Sequence, residues 1–238
     1  VPDLPMVPPE TPTPLTSDGD LKAVVDQIRS AGIFAYDTEF IGEETYFPEL
    51  CLIQISTTDA IFLIDPIAIG DLTPLWETIA DPELLTLVHA GQQDLEPVFR
   101  LLGTPAANII DTQIAAGFAG MPYPCSLNRL ILAETEVAVG KGMTFTRWDN
   151  RPLSPMQCRY AADDVRYLPL IWSQLKDRLS SAGHLEWVEE ECGTLCREQT
   201  YLPDYGAICN RLQRNRTLRP GQRSTLHRLV EARDTAAR

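Results

Sequence analysis

Two acidic residues at the end of a predicted strand offer the first candidate site for chemistry. Asp37 and Glu39 lie two positions apart in the segment IFAYDTEF, whose apolar character predicts a strand over residues 33–40. Side chains two apart on a strand share a face, so both carboxylates point the same way. A solvated strand edge would tolerate the pair, but the flanking Ala35 and Tyr36 favour an internal strand. Because buried like charges are costly without a counter-ion, the pair predicts a bound cation.

Two later segments carry further polar residues that could join such a site. Asp94 follows the apolar strand LLTLVHA at the start of a predicted helix over residues 95–102. Asp is also favoured at helix N-termini by capping and by the helix dipole, so a structural role fits it as well. On a helix predicted to begin after Ser154, Tyr160 and Asp164 are four residues apart and share one face. An amphipathic helix with a half-buried tyrosine explains this pair equally well.

The elements that would position these residues alternate between strands and helices. Ser17 or Asp18 and Gly32 bound a first helix, and LCLIQIS and AIFLIDP predict an antiparallel hairpin. LLTLVHA and NIID predict two more strands, each next to a helix. Ser154 opens a capping box with proline at the first helical position, and Pro169 is expected to interrupt the helix that follows. This order predicts an α/β fold with a mixed sheet.

Composition restricts the class of protein. The chain has 238 residues, of which 44% are hydrophobic and 22% charged, as is typical of globular proteins, so wholesale disorder is not expected. It contains no uncharged apolar run of about 18 residues, which argues against a membrane span. Six scattered cysteines in a chain of this length predict reduced thiols and a cytoplasmic protein. Residue 1 is valine, which leaves a removed targeting segment open.

Charge is distributed unevenly along the chain. Twenty basic and 33 acidic residues give a net charge of −13, the wrong sign for a protein that simply coats nucleic acid. Residues 211–238 hold eight arginines and two acids, which leaves 12 basic and 31 acidic residues in the remainder. An acidic body with a basic tail fits either solubilising surface charge or carboxylates gathered around cations.

The order of the motifs is more specific than any single residue. AYDTEF with TYFPELCLIQIS, LVHAGQQDLEPVF, and RPLSPMQCRYAADDVRYL resemble the three exonuclease motifs of the DEDDy 3′→5′ exonucleases. The phrasing is closest to ribonuclease D over about residues 20–180, and IDTQIAAGFAG and TRWDNRPLS resemble segments of that family as well. The resemblance implies a ribonuclease H-like mixed β-sheet flanked by helices, with a helical C-terminal extension.

The resemblance also implies a reaction. Asp37, Glu39, Asp94 and Asp164 would hold two divalent cations, Mg²⁺ or Mn²⁺, which hard oxygen donors suit, and Tyr160 would orient the attacking water. The expected function is hydrolysis of single-stranded RNA 3′ ends, in tRNA-like or structured RNAs, to nucleoside 5′-monophosphates by a monomer without a membrane partner. A Werner-type 3′→5′ DNA exonuclease and a catalytically silent RNA-binding scaffold are the alternatives.

Further residues are candidates for substrate contact, each with a competing structural explanation. The aromatic ones could stack on bases or pack in the core, and the cationic ones could meet phosphates or solubilise a loop. A single histidine beside an apolar strand is often a hydrogen-bonded core residue. The candidates are Phe40, Tyr46, Phe47, His89, Lys141, Arg147 and Arg151.

We expect three segments along the chain. Residues 1–16, with six prolines in the first 15, predict a flexible tail. Residues 17–183 would form the exonuclease domain, and residues 184–238 a helical extension. The extension resembles the linker and opening helix of an HRDC domain, an auxiliary nucleic-acid-binding module. A whole module needs more chain, so we expect either a cut sequence or a member that has lost it.

Overall fold

Helices and strands alternate along the part of the chain that the structure describes. The computed structural model describes residues 4–42, 45–140, 146–214 and 217–237. Its regular elements are α1 (Asp18–Ala31), β1 (Ile33–Ile41), β2 (Glu49–Ser56), β3 (Ile61–Ile64), α2 (Thr73–Ile79), β4 (Leu85–Val88), α3 (Gln92–Leu102), β5 (Ile109–Asp111), α4 (Thr112–Phe118), α5 (Leu127–Thr135), α6 (Pro155–Arg166), α7 (Leu168–Ala182), α8 (Leu185–Cys192), α9 (Tyr205–Gln213) and α10 (Pro220–Ala237).

One mixed sheet lies at the centre of the fold, with its strands in the order β3-β2-β1-β4-β5. β1 and β2, like β2 and β3, pair antiparallel, whereas β4 pairs parallel with both β1 and β5. The turn between β2 and β3 is closed by the Thr57 N–H, which donates to the Ala60 carbonyl at 2.9 Å. The predicted α/β fold with a mixed sheet is confirmed, as is the hairpin.

Alternation along β1 separates two layers of core. Phe34 and Tyr36 are fully buried against the layer that contains α1, α2 and α3. Ala35 points the other way, into a cluster that contains residues of α4, α5, α7 and α8. Asp37 and Glu39 have the same parity as Ala35, so they belong to this second face.

Helix α6 covers the second face over β2 and β3. Ala161 packs there with Leu52 and Leu63, all fully buried. Because Tyr160 and Asp164 lie on this same helix, α6 carries them to the end of β1 where the acids of that strand emerge.

Local sequence signals set the helix boundaries. The Ser17 side chain accepts from the Asp20 N–H at 3.2 Å to cap α1, which ends at Gly32 with φ of 72°. Ser154 and Gln157 form the predicted capping box of α6. α6 ends just before Pro169, which lies in the first turn of α7, so the predicted interruption is confirmed.

The proline-rich N-terminal segment corrects one expectation. Residues 4–16 lie on the fold, whereas their proline content predicted a flexible tail. Leu15 forms a bridge to β3, donating to the Leu63 carbonyl at 2.7 Å, and the Arg166 guanidinium, fully buried, donates to the carbonyls of Pro8 and Glu10. Proline removes N–H donors but leaves carbonyl acceptors, and the arginine uses those.

The predicted extension begins inside the main core. Val188 and Cys192 of α8 are fully buried in the cluster that also contains residues of α4 and α7. The domain boundaries at residues 16 and 183 stay predictions. Within the ranges described above, none of the helices combines the length and the apolar character needed to cross a membrane.

Candidate active site

Three carboxylates from two elements meet at the end of β1. Ligand oxygens of Asp37, Glu39 and Asp164 all lie within 4.8 Å of one another. The pairing of β1 with β2 shifts directly after Glu39, because Glu39 faces Leu52 whereas Phe40 faces Leu50. Bulges of this kind bend a strand and re-aim its side chains, and they are frequent beside active sites.

Asp94 joins the site from the opposite face of the sheet. It lies in the first turn of α3, where the Tyr36 hydroxyl donates to its backbone carbonyl at 2.8 Å and the Thr38 hydroxyl donates to its carboxylate. Its oxygens are not among the three that converge. After burial, its negative charge is the largest cause of the raised pKa of Asp37. Asp94 therefore acts electrostatically on the group of three.

The turn that presents Asp94 is held by a buried acid. Asp111 accepts from the Gln113 N–H at 2.8 Å and caps α4. Its oxygens also accept from the backbone N–H groups of Ala90 and Gly91, at 2.9 and 3.3 Å. A Cβ at Gly91 would come within 2.4 Å of the Val88 Cβ, so only glycine fits this turn. Asp111 thus has a structural role.

Burial and repulsion raise the pKa of every carboxyl group in the site. The pKa of Glu39 is raised to about 8, that of Asp164 to about 7 and that of Asp94 to about 6, while the pKa of Asp37 lies well above its usual range. Burial is the largest cause in each case, and neighbouring carboxylates add to it. Bound cations would remove this cost, and a set of hard oxygen donors fits Mg²⁺ or Mn²⁺.

Tyr160 stands one helical turn before Asp164, so both side chains lie on the same face of α6. Burial first, and then the charges of the neighbouring acids, raise the pKa of Tyr160 above the ordinary range of a phenol. The hydroxyl therefore stays protonated at neutral pH and can orient a ligand through hydrogen bonds, but it is a poor general base.

Comparison with known proteins identifies this arrangement. A family model described as 3′-5′ exonuclease matches residues 12–180. The chain belongs to the 3′-5′ exonuclease family. The matched residues include all four acids of the site and Tyr160.

The relatives of this exonuclease domain are ribonuclease D proteins, which confirms the resemblance seen in the sequence. Ribonuclease D of Gluconacetobacter diazotrophicus is 37% identical over 203 residues, which are 85% of this chain and 52% of that protein. Ribonuclease D of Serratia proteamaculans is 36% identical over 228 residues, 94% of this chain and 60% of that protein. The crystal structure of Escherichia coli RNase D has a TM-score of 0.84 at 32% identity and covers 94% of this chain and 60% of that chain. This chain therefore spans about half to three fifths of the length of these relatives.

Two aromatic candidates for substrate contact in the exonuclease domain already have partners. The Tyr46 side chain is 44% exposed, and its hydroxyl donates to Asp234 of α10. The Phe47 ring lies under the guanidinium of Arg100, 4.7 Å from its centroid. Phe40 is half-buried next to the bulge in β1. All three lie close to the end of β1 in sequence, and base stacking stays a prediction for each.

The cationic candidates are placed differently. The Arg151 guanidinium donates to both oxygens of Asp65, at 2.5 and 2.7 Å, and to the Cys51 carbonyl at 2.7 Å. Burial raises the pKa of Asp65, but the hydrogen bonds and charge of Arg151, together with backbone N–H groups, outweigh it and lower that pKa. A structural role is therefore favoured for Arg151 over a phosphate contact. Arg147 is exposed and pairs with Asp149 at 2.6 Å.

The remaining two candidates are His89 and Lys141. His89 has both ring nitrogens engaged within the fold, with the Thr112 hydroxyl at 3.0 Å and the Cys125 carbonyl at 2.9 Å. It is a hydrogen-bonded core histidine, the competing explanation given for it above. Lys141 lies outside the described residues.

Sequence patterns gave no signal for several residues that support the site. Thr38 and Tyr36 hold Asp94 through hydrogen bonds between elements that lie 56 and 58 residues apart. Asp234, 4% exposed, accepts from the hydroxyls of Tyr46 and Tyr205, the latter at 2.8 Å.

We expect Asp234→Ala to release α10 from the segment that follows β1. The two tyrosine hydroxyls would lose a charged acceptor, and hydrogen bonds to charged groups contribute about 1.5–3 kcal/mol each at most. Trypsin should then cleave the arginine-rich segment 219–233 about 10-fold faster at native conditions. Glu231→Ala, which removes an exposed acid from the same helix, is the matched control and should leave the cleavage rate unchanged. Equal rates for the Asp234 variant and the parent would contradict this role.

Proposed function

We propose that this chain is a two-metal-ion 3′→5′ exoribonuclease that shortens single-stranded RNA 3′ ends and releases nucleoside 5′-monophosphates. The observation that carries the proposal is the convergence of Asp37, Glu39 and Asp164 within 4.8 Å, with Tyr160 one helical turn from Asp164 on α6. A site of hard oxygen ligands beside a protonated hydroxyl suits phosphodiester hydrolysis and has no nucleophile of its own.

The residues of the site have separate tasks in this mechanism. Asp37, Glu39 and Asp164 would hold two Mg²⁺ or Mn²⁺ ions, with Asp94 as the fourth acid. Ions held there would supply a water nucleophile at neutral pH and stabilise charge on the departing 3′ oxygen. The Tyr160 hydroxyl orients the attacking water, Thr38 fixes the Asp94 carboxylate, and Tyr36 fixes the backbone of the same residue.

The choice of RNA rests on the relatives. The proteins to which this chain is similar are named ribonuclease D, and the Escherichia coli structure is described as an exoribonuclease involved in structured RNA processing. We extend that substrate class, including tRNA-like RNAs, to this chain as part of the proposal. The basic C-terminal segment, with eight arginines in residues 211–238, supplies positive charge for phosphate contacts.

Incubation with labelled nucleic acid tests the proposal. The purified chain is given 5′-labelled single-stranded RNA or DNA of the same sequence, with Mg²⁺, Mn²⁺ or EDTA. We expect a ladder that shortens from the unlabelled 3′ end with either metal, no ladder with EDTA, and faster shortening of RNA. Faster shortening of DNA would favour the DNA exonuclease alternative, and RNA binding without any shortening would favour a silent scaffold.

Removal of the tyrosine hydroxyl separates orientation from metal binding. We expect Tyr160→Phe to lower kcat by about 10²-fold, because misplacing a nucleophile by about 1 Å costs that much. Mn²⁺ affinity, measured by calorimetry, should stay within about twofold of the parent, since phenylalanine keeps the four carboxylates. Tyr123→Phe, at a side chain that is 66% exposed, is the control. A Tyr160→Phe variant with the full kcat would show that the hydroxyl takes no part.

Two further expectations about the whole protein belong to the proposal. All six cysteines are free thiols, and five of them are buried, which supports a reducing compartment such as the cytoplasm. The monomeric state stays a prediction, and gel filtration with light scattering would measure it.

A further inference from the structure

Gln54 of β2 is a buried polar side chain without a hydrogen-bond partner. It is 0% exposed, and neither its side-chain nitrogen nor its oxygen bonds to any other atom of residues 4–42, 45–140, 146–214 or 217–237. A buried amide left unpaired costs on the order of 1–3 kcal/mol. Because native proteins rarely carry such a cost without a reason, the position of Gln54 needs an explanation.

The strand register puts Gln54 beside the acids of the site. It lies directly opposite Asp37 in the antiparallel pair of β1 and β2. Opposed residues in such a pair share a face, with Cβ atoms about 4.5–5.5 Å apart, and Glu39 is the diagonal neighbour. On the other side Gln54 faces Leu63 of β3, which has no polar side chain to offer.

Gln54 makes no hydrogen bond to α6 either, although Tyr160 and Asp164 lie on that helix. Ala161, Ala162 and Val165 are fully buried on α6 and carry no donor or acceptor, and the buried Arg166 donates to Pro8 and Glu10 instead. The strand register makes Asp37 the carboxylate directly opposite Gln54. A carboxamide N–H suits it, since it donates to a carboxylate without adding charge.

We propose that Gln54, which is unpaired in this structure, is a positioning residue for the metal site: once Asp37 binds a cation, the side-chain N–H groups of Gln54 would hold its carboxylate in the metal-binding orientation. This inference rests on the proposed function, because it assigns Asp37 as a ligand. Gln54 does not touch the reacting atoms and acts only through Asp37. Carboxylates that bind metal need hydrogen-bond partners of their own, and loss of such a partner lowers metal affinity or activity by about 10–100-fold.

Gln54→Met tests the inference, since methionine has a similar length and volume but no donor. Mn²⁺ affinity, measured by calorimetry on the full chain, should fall about 10–100-fold. With 3′-end shortening of RNA as the assay, kcat should fall while KM for RNA stays unchanged. Unfolding without metal should occur at the same or a higher temperature than in the parent, because the variant buries no unpaired amide. A merely structural amide would change the unfolding temperature and leave the affinity for Mn²⁺ intact.

Thr86→Val is the matched control. The Thr86 hydroxyl is also fully buried and makes no hydrogen bond to any residue that the structure describes, but it pairs with Phe34 and so lies on the other face of the sheet. Mn²⁺ affinity should be unchanged in this variant. An equal loss of affinity in Thr86→Val would overturn the inference, since the effect would then come from any buried polar group of the sheet.

Other outcomes distinguish a failure of this inference from a failure of the proposed function. If the parent binds Mn²⁺ and Gln54→Met binds it as tightly, the positioning role is wrong and the proposed function stands. If the parent binds no Mn²⁺, the proposed function fails and the inference fails with it. Gln54→Leu replaces the methionine variant should that one not fold. Failure of both variants to fold would assign the amide to the fold and overturn the positioning role.

Discussion

Asp37→Asn should lose exonuclease activity by about 10³-fold or more while the chain becomes more resistant to unfolding in the absence of metal. An amide removes one charged ligand from the group of three that converge within 4.8 Å. Metal ions supply several kcal/mol of charge stabilisation in the transition state, and each 1.36 kcal/mol lost is tenfold in rate. Single-turnover shortening of 5′-labelled RNA, with the variant and the parent at saturating Mn²⁺, measures the loss.

The gain in stability has a separate cause. Burial first, and then the charges of Asp94, Asp164 and Glu39, raise the pKa of Asp37 well above its usual range, so an ionised Asp37 is unfavourable in the folded state. Asparagine is neutral at every pH and avoids this cost. At pH 8 without metal, we expect the free energy of unfolding to rise by about 1–3 kcal/mol, which raises the unfolding temperature by several degrees in a chain of this size.

Asp59→Asn is the charge-matched control for both measurements. Asp59 is exposed in the turn between β2 and β3, away from the group of three acids. Its amide variant should keep the activity and the stability of the parent. Asp37→Asn with full activity, or with lower stability than the parent at pH 8, would contradict the assignment of Asp37 to a crowded metal site.

Periodic patterns predicted the parts of the site that lie within single elements. Asp37 and Glu39 share a face because strand side chains alternate, and Tyr160 and Asp164 share one because four residues make about one helical turn. The mixed sheet that brings these elements together followed from the order of strands and helices and is confirmed. Local spacing decides such features, so a single sequence is enough to predict them.

Contacts between distant segments could not be predicted in the same way. Arg151 pairs with Asp65 over 86 residues, so a loop arginine that was a candidate for phosphate contact has a structural role. Arg166 similarly holds carbonyls of residues 8 and 10, which places a proline-rich segment on the fold. Such pairs leave no periodic trace in the sequence. The unpaired state of Gln54 likewise depends on register, which sets the residue opposite each position.

The second prediction with a large effect is that the metal-free chain loses stability as the pH rises from about 5 to 8. The pKa values of Asp94, Asp164 and Glu39 are raised to about 6, 7 and 8, whereas the same groups in the unfolded chain titrate near 4. Between these values the folded state binds more protons than the unfolded state. Stability therefore falls with increasing pH across this window.

The expected loss is on the order of several kcal/mol, since a tenfold change in proton affinity corresponds to 1.36 kcal/mol. Chemical denaturation in EDTA at pH 5, 6, 7 and 8 measures it. Asp65 has the opposite effect, but only at lower pH than the range from 5 to 8. Its pKa is lowered, so the stability that it contributes is lost only as the pH falls towards and below about 4. Glu39→Gln should make the fall shallower across the whole window, because the folded state keeps the extra proton of Glu39 from about pH 4 to about pH 8.

With saturating Mn²⁺, the stability of the chain should increase from pH 5 to pH 8 instead of decreasing. Metal ligands must be deprotonated to bind, so affinity rises with pH and the metal stabilises the folded chain most where the free carboxylates destabilise it. At a concentration 100 times the dissociation constant, one bound ion adds about 2.7 kcal/mol. A metal-free chain whose stability increases from pH 5 to pH 8 would show that the four acids do not repel one another. Equal slopes with Mn²⁺ and with EDTA would show that they hold no metal.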